Sequence, residues 1–262
     1  MPCRSILPVA AGDRSDGIDL QRLYAYRFRG VDQRSRQAVW DQIAPVIYRW
    51  LGTPERVLDP AAGRGEFVNA VKSAERWVVD TVEYDETVRD PDVKAIIGDA
   101  RVVELRESYF DGVFVSNLLE HFAAQDEVGA FLRRLRNAMT PGGRVAVLGP
   151  NFRYCAKEYF DCADHTLALT HVAVEEHLYA AGFEIERSIP RFIPYSFRSR
   201  LPQAPWMVRA YLRIPLFWRV LGKQFLVIAR NPRPDSPRLG ASASGESPRR
   251  CPRPSTATRS GA

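Results

Sequence analysis

Residues 56–67, Arg-Val-Leu-Asp-Pro-Ala-Ala-Gly-Arg-Gly-Glu-Phe, constrain the fold more than any other stretch of the chain. Val57 and Leu58 read as the end of an apolar strand that Asp59 and Pro60 stop. Ala61 to Gly65 supply a turn of small side chains, and Glu66-Phe67-Val68 begin a helix. Such a βα unit holds a nucleotide-like ligand, because residues without bulk let the backbone approach it. The N–H groups and partial positive charge of the helix start then face the ligand.

The ligand class follows from spacing and charge. A dinucleotide site takes G-x-G-x-x-G, whereas the glycines here stand at 63 and 65, position 68 is Val, and Asp59 sits at the mouth of the loop. A carboxylate there repels a pyrophosphate but suits a ligand carrying an ammonium and a sulfonium. The loop resembles motif I of class I S-adenosylmethionine (SAM)-dependent methyltransferases, acid-x-G-x-G-x-G, with Ala61 in place of the first glycine. Taken alone, it is also compatible with an ordinary strand-to-helix turn.

At 262 residues and 45% hydrophobic, the chain can bury one large core. Cys3, Cys155, Cys162 and Cys251 form neither a C-x-x-C pair nor a disulfide framework, so a reducing, cytoplasmic compartment is the expectation. No apolar run approaches the ~20 residues that span a bilayer. Ile6 to Ala11 is too short for a signal-peptide core, and the first 20 residues read as a loose tail. The net charge of +6 is unevenly spread: residues 187–230 carry +9 with no acid, residues 231–262 carry +4, and residues 1–186 carry −7. An acidic body with a basic, aromatic C-terminal portion implies a phosphate-bearing substrate, a membrane surface or a nucleic acid.

In chain order, residues 30–52 read as a helix with Asp32 as N-cap and Pro45 as a kink or break. Tyr24, Tyr26 and Phe28 either help to close the site or form a satellite apolar cluster. Strands are expected at Trp77–Asp80, Val93–Asp99, Asp111–Asn117 and Arg144–Leu148, with a helix over Phe122–Met139. A further helix runs from His171 to Ala181 with Thr170 as N-cap, followed by strands at Phe183–Glu186 and Gln224–Arg230. Alternating strands and helices predict an α/β protein: a three-layer, doubly wound, mostly parallel sheet with ligands at the carboxyl ends of the strands. Residues 231–262, rich in Pro, Ser, Gly and Arg, read as a disordered tail.

The acids that close the strands fit the same ligand. Asp80 can accept both ribose hydroxyls, with Glu83 and Asp85 as rivals. Any one such acid can also be a turn former. Phe110-Asp111-Gly112-Val113 through Leu119-Glu120-His121-Phe122 resembles the post-strand-four segment of SAM methyltransferases, and Pro141-Gly142-Gly143 follows downstream. The resemblance spans about residues 55–230 and identifies the chain as similar to a class I SAM-dependent methyltransferase. It implies seven strands, the last antiparallel, and a cofactor shell of Asp59, Ala61, Gly63, Gly65, Asp80, Asp99, Ala100 and Ser116, with Asp99 and Ala100 at the adenine. It implies no metal. The subgroup resembled has small-molecule, glycan and natural-product members. Ser116-Asn117-Leu118-Leu119 occupies the place where amino-methylating DNA enzymes carry (Asp/Asn)-Pro-Pro-(Tyr/Phe), and no Pro-Cys nucleophile is present, which argues against DNA bases.

Methyl transfer from a sulfonium requires orientation, exclusion of water and sometimes a base. Asp164-His165 is the candidate pair for the base, with Asp161 or another acid as rival partner, a simple turn cap as the alternative, and His121 near the methionine end of the cofactor. His171 and His177 fall on a helix and read as structural. Residues 187–223 form a basic, aromatic insertion that Pro215 splits into two short helices. It reads either as a packed lid with solvated arginines or as an interfacial pair making peripheral membrane contact.

The organisation expected is thus an N-terminal tail and cap (1–30), a methyltransferase domain (31–230) and the C-terminal tail (231–262). The expected function is SAM-dependent methylation of oxygen or nitrogen on a small, glycan-like, lipid-linked or natural-product acceptor. No specific nucleic acid is expected as partner. The alternatives are an RNA methyltransferase using the basic end and a SAM-fold protein that transfers no methyl group.

Overall fold

The structure, a computed structural model, describes residues 19–84, 88–194 and 204–234. In chain order the elements are α1 (Leu20–Arg27), α2 (Gln33–Trp50), β1 (Arg56–Asp59), α3 (Glu66–Ala70), β2 (Glu75–Asp80), β3 (Val93–Ile97) and β4 (Phe110–Ser116). A 3-10 turn (Leu119–His121), α4 (Gln125–Ala138), β5 (Met139–Pro150), α5 (Phe152–Tyr159), α6 (His171–Ala180), β6 (Glu184–Ile193), α7 (Pro205–Arg213), α8 (Pro215–Leu221) and β7 (Gln224–Arg230) follow.

The sheet has the order β3-β2-β1-β4-β5-β7-β6. Only β7 is antiparallel, to β5 on one side and β6 on the other, so the expected seven-stranded, doubly wound α/β sheet with a final antiparallel strand is what the chain forms. Along each central strand successive apolar residues part to opposite faces. Val57, Val78, Phe114, Ala146 and Leu148 join Ile43, Ala44 and Ile47 of α2 and Phe67 of α3 in one core. Leu58, Val79, Val113, Val115 and Val147 join Phe131, Leu132 and Leu135 of α4 and Val174 and Leu178 of α6 in the other. With helices on both faces, the central strands read as continuous apolar runs rather than alternating ones.

Local signals hold where a specific side chain does specific work. Asp32 caps α2 by accepting from the Ser35 N–H at 3.0 Å and the Ser35 hydroxyl at 2.6 Å. Thr170 caps α6 by accepting from the Ala173 N–H at 3.3 Å. Two expectations are corrected. Pro45 neither ends nor divides α2, which continues to Trp50; burial of Ile43, Ala44 and Ile47 against the sheet outweighs the lost backbone bond. And β6 runs to Ile193, so residues 187–193 of the expected insertion are strand. Pro215 does separate α7 from α8, each with a proline in its first turn. The expected tail at 235–262, the first 18 residues and Asp85 lie outside the described residues.

Candidate active site

The loop after β1 is held from both ends. Asp111 of β4 accepts the N–H groups of Glu55 and Arg56 at 2.9 and 2.7 Å, which fixes the start of β1. At its end Asp59 is 3% exposed and accepts from the Ala61 N–H at 3.2 Å. Gly63 and Gly65 adopt φ of 53° and 81°, the left-handed region that favours glycine. That bend aims the Gly63 N–H at Asp80, whose Oδ2 accepts it at 2.7 Å while Oδ1 accepts from the Val82 N–H at 2.9 Å. The Arg89 guanidinium donates to the Gly63 carbonyl and lies 4.9 Å from the Tyr84 ring centre.

These two strand-end acids are the most perturbed carboxyls of the loop. Burial pushes the Asp59 carboxyl up to about 7 against the Ala61 N–H; Asp80 and Glu66 add to the rise and Arg89 opposes it. Burial also raises Asp80, offset in part by the backbone donors of Val82 and Gly63. Since β2 ends at Asp80 and Glu83 is exposed, Asp80 is the acid of that group which faces the loop.

Asp99 already has a partner within the protein. Its carboxylate takes the Arg101 backbone N–H at 2.9 Å and the Arg101 guanidinium at 2.6 and 3.0 Å. Ala100 packs against the core beneath it. Ser116 ends β4 and its hydroxyl oxygen accepts from Asn117 Nδ2 at 3.0 Å. A cleft of about 550 Å³ opens on the outer side of the loop, lined by Arg34, Gln37, Arg64, Glu66 and Arg89. It does not reach Asp59, Asp80 or Asp99, so it adjoins the strand-end acids rather than containing them.

Past the end of β4, the 3-10 turn brings Glu120 and His121 against His165. The two imidazole rings lie 5.0 Å apart, edge to face, and the His165 ring is 4.9 Å from Tyr159. His121 Nδ1 sits 2.9 Å from the Asp164 carbonyl oxygen and 3.5 Å from Asp164 Oδ2. Glu120 is 2% exposed, and its backbone carbonyl accepts the N–H groups of Thr166 and Leu167 at 2.9 and 3.1 Å. Burial lowers the His165 ring to about 4, with the charge of His121 adding to the effect, so the ring is neutral near pH 7 and holds a proton weakly.

The expected Asp164-His165 pairing takes another form. Burial pushes Asp164 up, but the hydrogen bond and charge of Arg27, together with His121, bring it below the usual carboxylate range. Its ion-pair partner is Arg27 of α1. The rival acid Asp161 is exposed. Tyr24, one turn earlier on α1, has its hydroxyl raised by burial, with the charges of Asp164 and Asp80 adding to the rise. His171 bonds Asn151 at 3.0 Å and His177 bonds Gln125 at 2.7 Å, in keeping with structural roles.

Residues 58–147, from the end of β1 into β5, match a family described as a methyltransferase domain. Over that stretch the chain is similar to methyltransferase domains, and its sheet has the class I SAM-dependent methyltransferase topology. Among solved structures it is similar to a SAM-dependent methyltransferase of Archaeoglobus fulgidus, at 18% identity and a TM-score of 0.55 over 81% of this chain and 100% of that one. It is also similar to a chain in the complex of the Haloferax volcanii Trm112 methyltransferase activator with a methyltransferase (15%, 0.56, 80% and 96%). A third likeness is to the [4+2]-cyclase SpnF (16%, 0.52, 73% and 80%). At these identities the likeness is one of fold. No curated protein matches the chain.

The cofactor that the match implies is SAM, and the loop's chemistry fits it. Asp59 is a buried acid that a ligand cation would keep ionised, and a Cβ at Gly63 would meet nothing within 4 Å, leaving open space above the turn. Sequence reasoning passed over Arg27, Glu120 as a separate functional group, and Arg89. Only Glu120 carried a signal, its place in Leu119-Glu120-His121.

Proposed function

We propose that this methyltransferase moves the methyl group of SAM to an oxygen, or a nitrogen, of a small-molecule acceptor of glycan or natural-product type that carries an apolar or lipid-linked portion. SAM supplies an electrophilic methyl group on a sulfonium. In this reading Asp59 faces the ammonium, the Ala61–Gly65 backbone lies along the methionine, and Asp80 accepts from the ribose. Asp99 and Ala100 border the adenine, which asks Asp99 to share its carboxylate with Arg101. Ser116 borders the methionine end.

The observation that carries the acceptor side is the grouping of His121, Asp164 and His165 beyond β4, to which α1 is fastened by the Arg27–Asp164 ion pair. The neutral His165 ring accepts a hydrogen bond from the acceptor's hydroxyl, and His121, fixed by the Asp164 carbonyl, orients the acceptor. Arg27 neutralises Asp164 and holds α1 over both, which excludes water.

The peripheral membrane contact belongs to α7 and α8. Val208, Tyr211, Leu212 and Trp218 pack inward against the core. Trp206, Leu216 and Val220 face outward at 70%, 63% and 64% exposure, beside exposed Arg209, Arg213 and Arg219. An apolar face rimmed by arginine suits an anionic lipid surface and so a lipid-linked acceptor. Among the described residues no helix is long and apolar enough to cross a membrane. A cytoplasmic site of action agrees with Cys155, which forms no disulfide among the described residues.

The test is incubation of the purified chain with methyl-labelled SAM and an acceptor panel of glycans, lipid-linked glycans and phenolic natural products. Label transferred to an acceptor with conversion of SAM to its demethylated by-product supports the reading. SAM binding without transfer to any member favours the non-transferring alternative. Transfer to total RNA instead, in a salt-dependent manner, favours the RNA reading that the exposed arginines also suit.

A further inference from the structure

Glu120, His121 and His165 share a feature that cofactor binding does not use. One potential ligand atom from each lies within 4.8 Å of the other two. Two imidazoles and one carboxylate form a donor set that takes a zinc-class divalent cation with a coordination position left open. Glu120 supplies the second, independent observation. Its side chain is almost wholly buried, and among the described residues Oε1 has no hydrogen-bond partner. A buried carboxylate oxygen in that state calls for a cation or a donor.

The surroundings agree. A backbone carbonyl can only accept, so the 2.9 Å contact between His121 Nδ1 and the Asp164 oxygen puts the hydrogen on Nδ1 and leaves the lone pair on Nε2. A ligand histidine is ordinarily oriented in this way, by donating its other N–H to a carbonyl or carboxylate. Arg27, the nearby fixed cation, is committed to Asp164 rather than to Glu120.

We propose that Glu120, His121 and His165 bind one divalent transition-metal ion, of which Zn²⁺ is the type, at the acceptor side of the methyltransferase site. As regards function the inference rests on the acceptor side proposed above and changes one role there: with the ion bound, the His165 lone pair is spent on the metal, and the acceptor oxygen would enter the open position instead of hydrogen-bonding the ring, losing its proton more readily. Binding of the ion itself does not depend on that reading.

The experiment uses the full chain, freed of metal by chelation and free of SAM and acceptor. Zn²⁺ is titrated by calorimetry, and Co²⁺ is added separately for its visible spectrum. Binding of one ion per chain is expected, with ligand-field bands of low-coordinate Co²⁺ and no thiolate charge-transfer band. Glu120→Gln and His165→Asn should each abolish stoichiometric binding while circular dichroism and SAM affinity stay as in the parent. Binding that survives both substitutions, a thiolate band pointing to Cys155 or Cys162, or no binding by the folded parent would overturn the assignment. Failure of the acceptor assay with metal binding intact would instead count against the function proposed above.

Discussion

Arg27 of α1 is ion-paired with Asp164, 137 residues further along the chain, and this contact fastens the N-terminal helix over the end of β4. Removing one partner of such a pair leaves a carboxylate whose side chain is 6% exposed with only His121, 3.5 Å away, to offset its charge. Arg27→Ala should therefore destabilise the fold by about 3 kcal/mol. Asp164→Asn in the same background should recover most of that loss, and urea unfolding of the three variants checks both expectations. An Arg27→Ala protein as stable as the parent would show that α1 is held by other contacts.

Asp80 serves two purposes in this reading, anchoring the Gly63 and Val82 N–H groups and accepting from the ribose. Asp80→Ala would confound them by leaving buried donors unpaired. Asp80→Asn keeps one of the two acceptor oxygens, so one loop N–H loses its partner, and it also loses the charge-assisted bonds to the ligand, each worth roughly 1.5–3 kcal/mol. SAM affinity should fall about 10- to 100-fold by calorimetry, following from the loss of one such bond, with a fall in thermal midpoint smaller than that of Asp80→Ala. Unchanged affinity would move the ribose role elsewhere.

Asp59 gives a pH dependence of unusual sign. Its folded value of about 7 lies above the ordinary 3.8, through burial and then the neighbouring Asp80 and Glu66, with Arg89 opposing. The folded state therefore binds the proton more tightly than the unfolded one. The stability this confers is complete below the unfolded value and is lost as pH rises towards the folded value, at up to about 1.4 kcal/mol per pH unit. In the ligand-free protein, Asp59→Asn should raise the melting temperature at pH 8 and make little difference at pH 4, while weakening SAM binding at both. A melting difference independent of pH would refute the buried, proton-binding carboxyl.

The outward face of α7 and α8 should bind anionic vesicles. Sedimentation with phosphatidylglycerol vesicles is expected to retain the parent protein, and phosphatidylcholine vesicles to retain much less. Trp206→Ser combined with Leu216→Ser should abolish retention and leave the circular dichroism spectrum intact, because both side chains project away from the core. Retention of the double variant would show that the apolar face is not the contact.

What the sequence disclosed was what depends on neighbours in the chain. The turn at Ala61 to Gly65 is legible because Gly63 and Gly65 occupy φ values that few other residues tolerate, and the caps Asp32 and Thr170 because each bonds a residue three positions on. The extension of β6 was not legible. Glu186, Arg187 and Ser188 are exposed, and Pro190 follows, so an edge strand paired only with β7 shows no apolar run. Nor could the pairing of Arg27 with Asp164, or of Asp99 with Arg101, be read from spacing. Each depends on which of several neighbouring charges the fold brings nearest. The acids at the strand ends were visible; their partners were not.

The place of β7 in the sheet has a consequence for biogenesis. It is the last strand among the described residues, yet it lies between β5 and β6, hydrogen-bonded to both. From the completion of β5 at Pro150 until translation has passed Arg230, β5 has an open flank and β6 nothing to pair with, so the nascent chain shows sticky backbone to its surroundings over that interval. Ribosome stalling or premature termination anywhere upstream would release an aggregation-prone fragment rather than a smaller working enzyme.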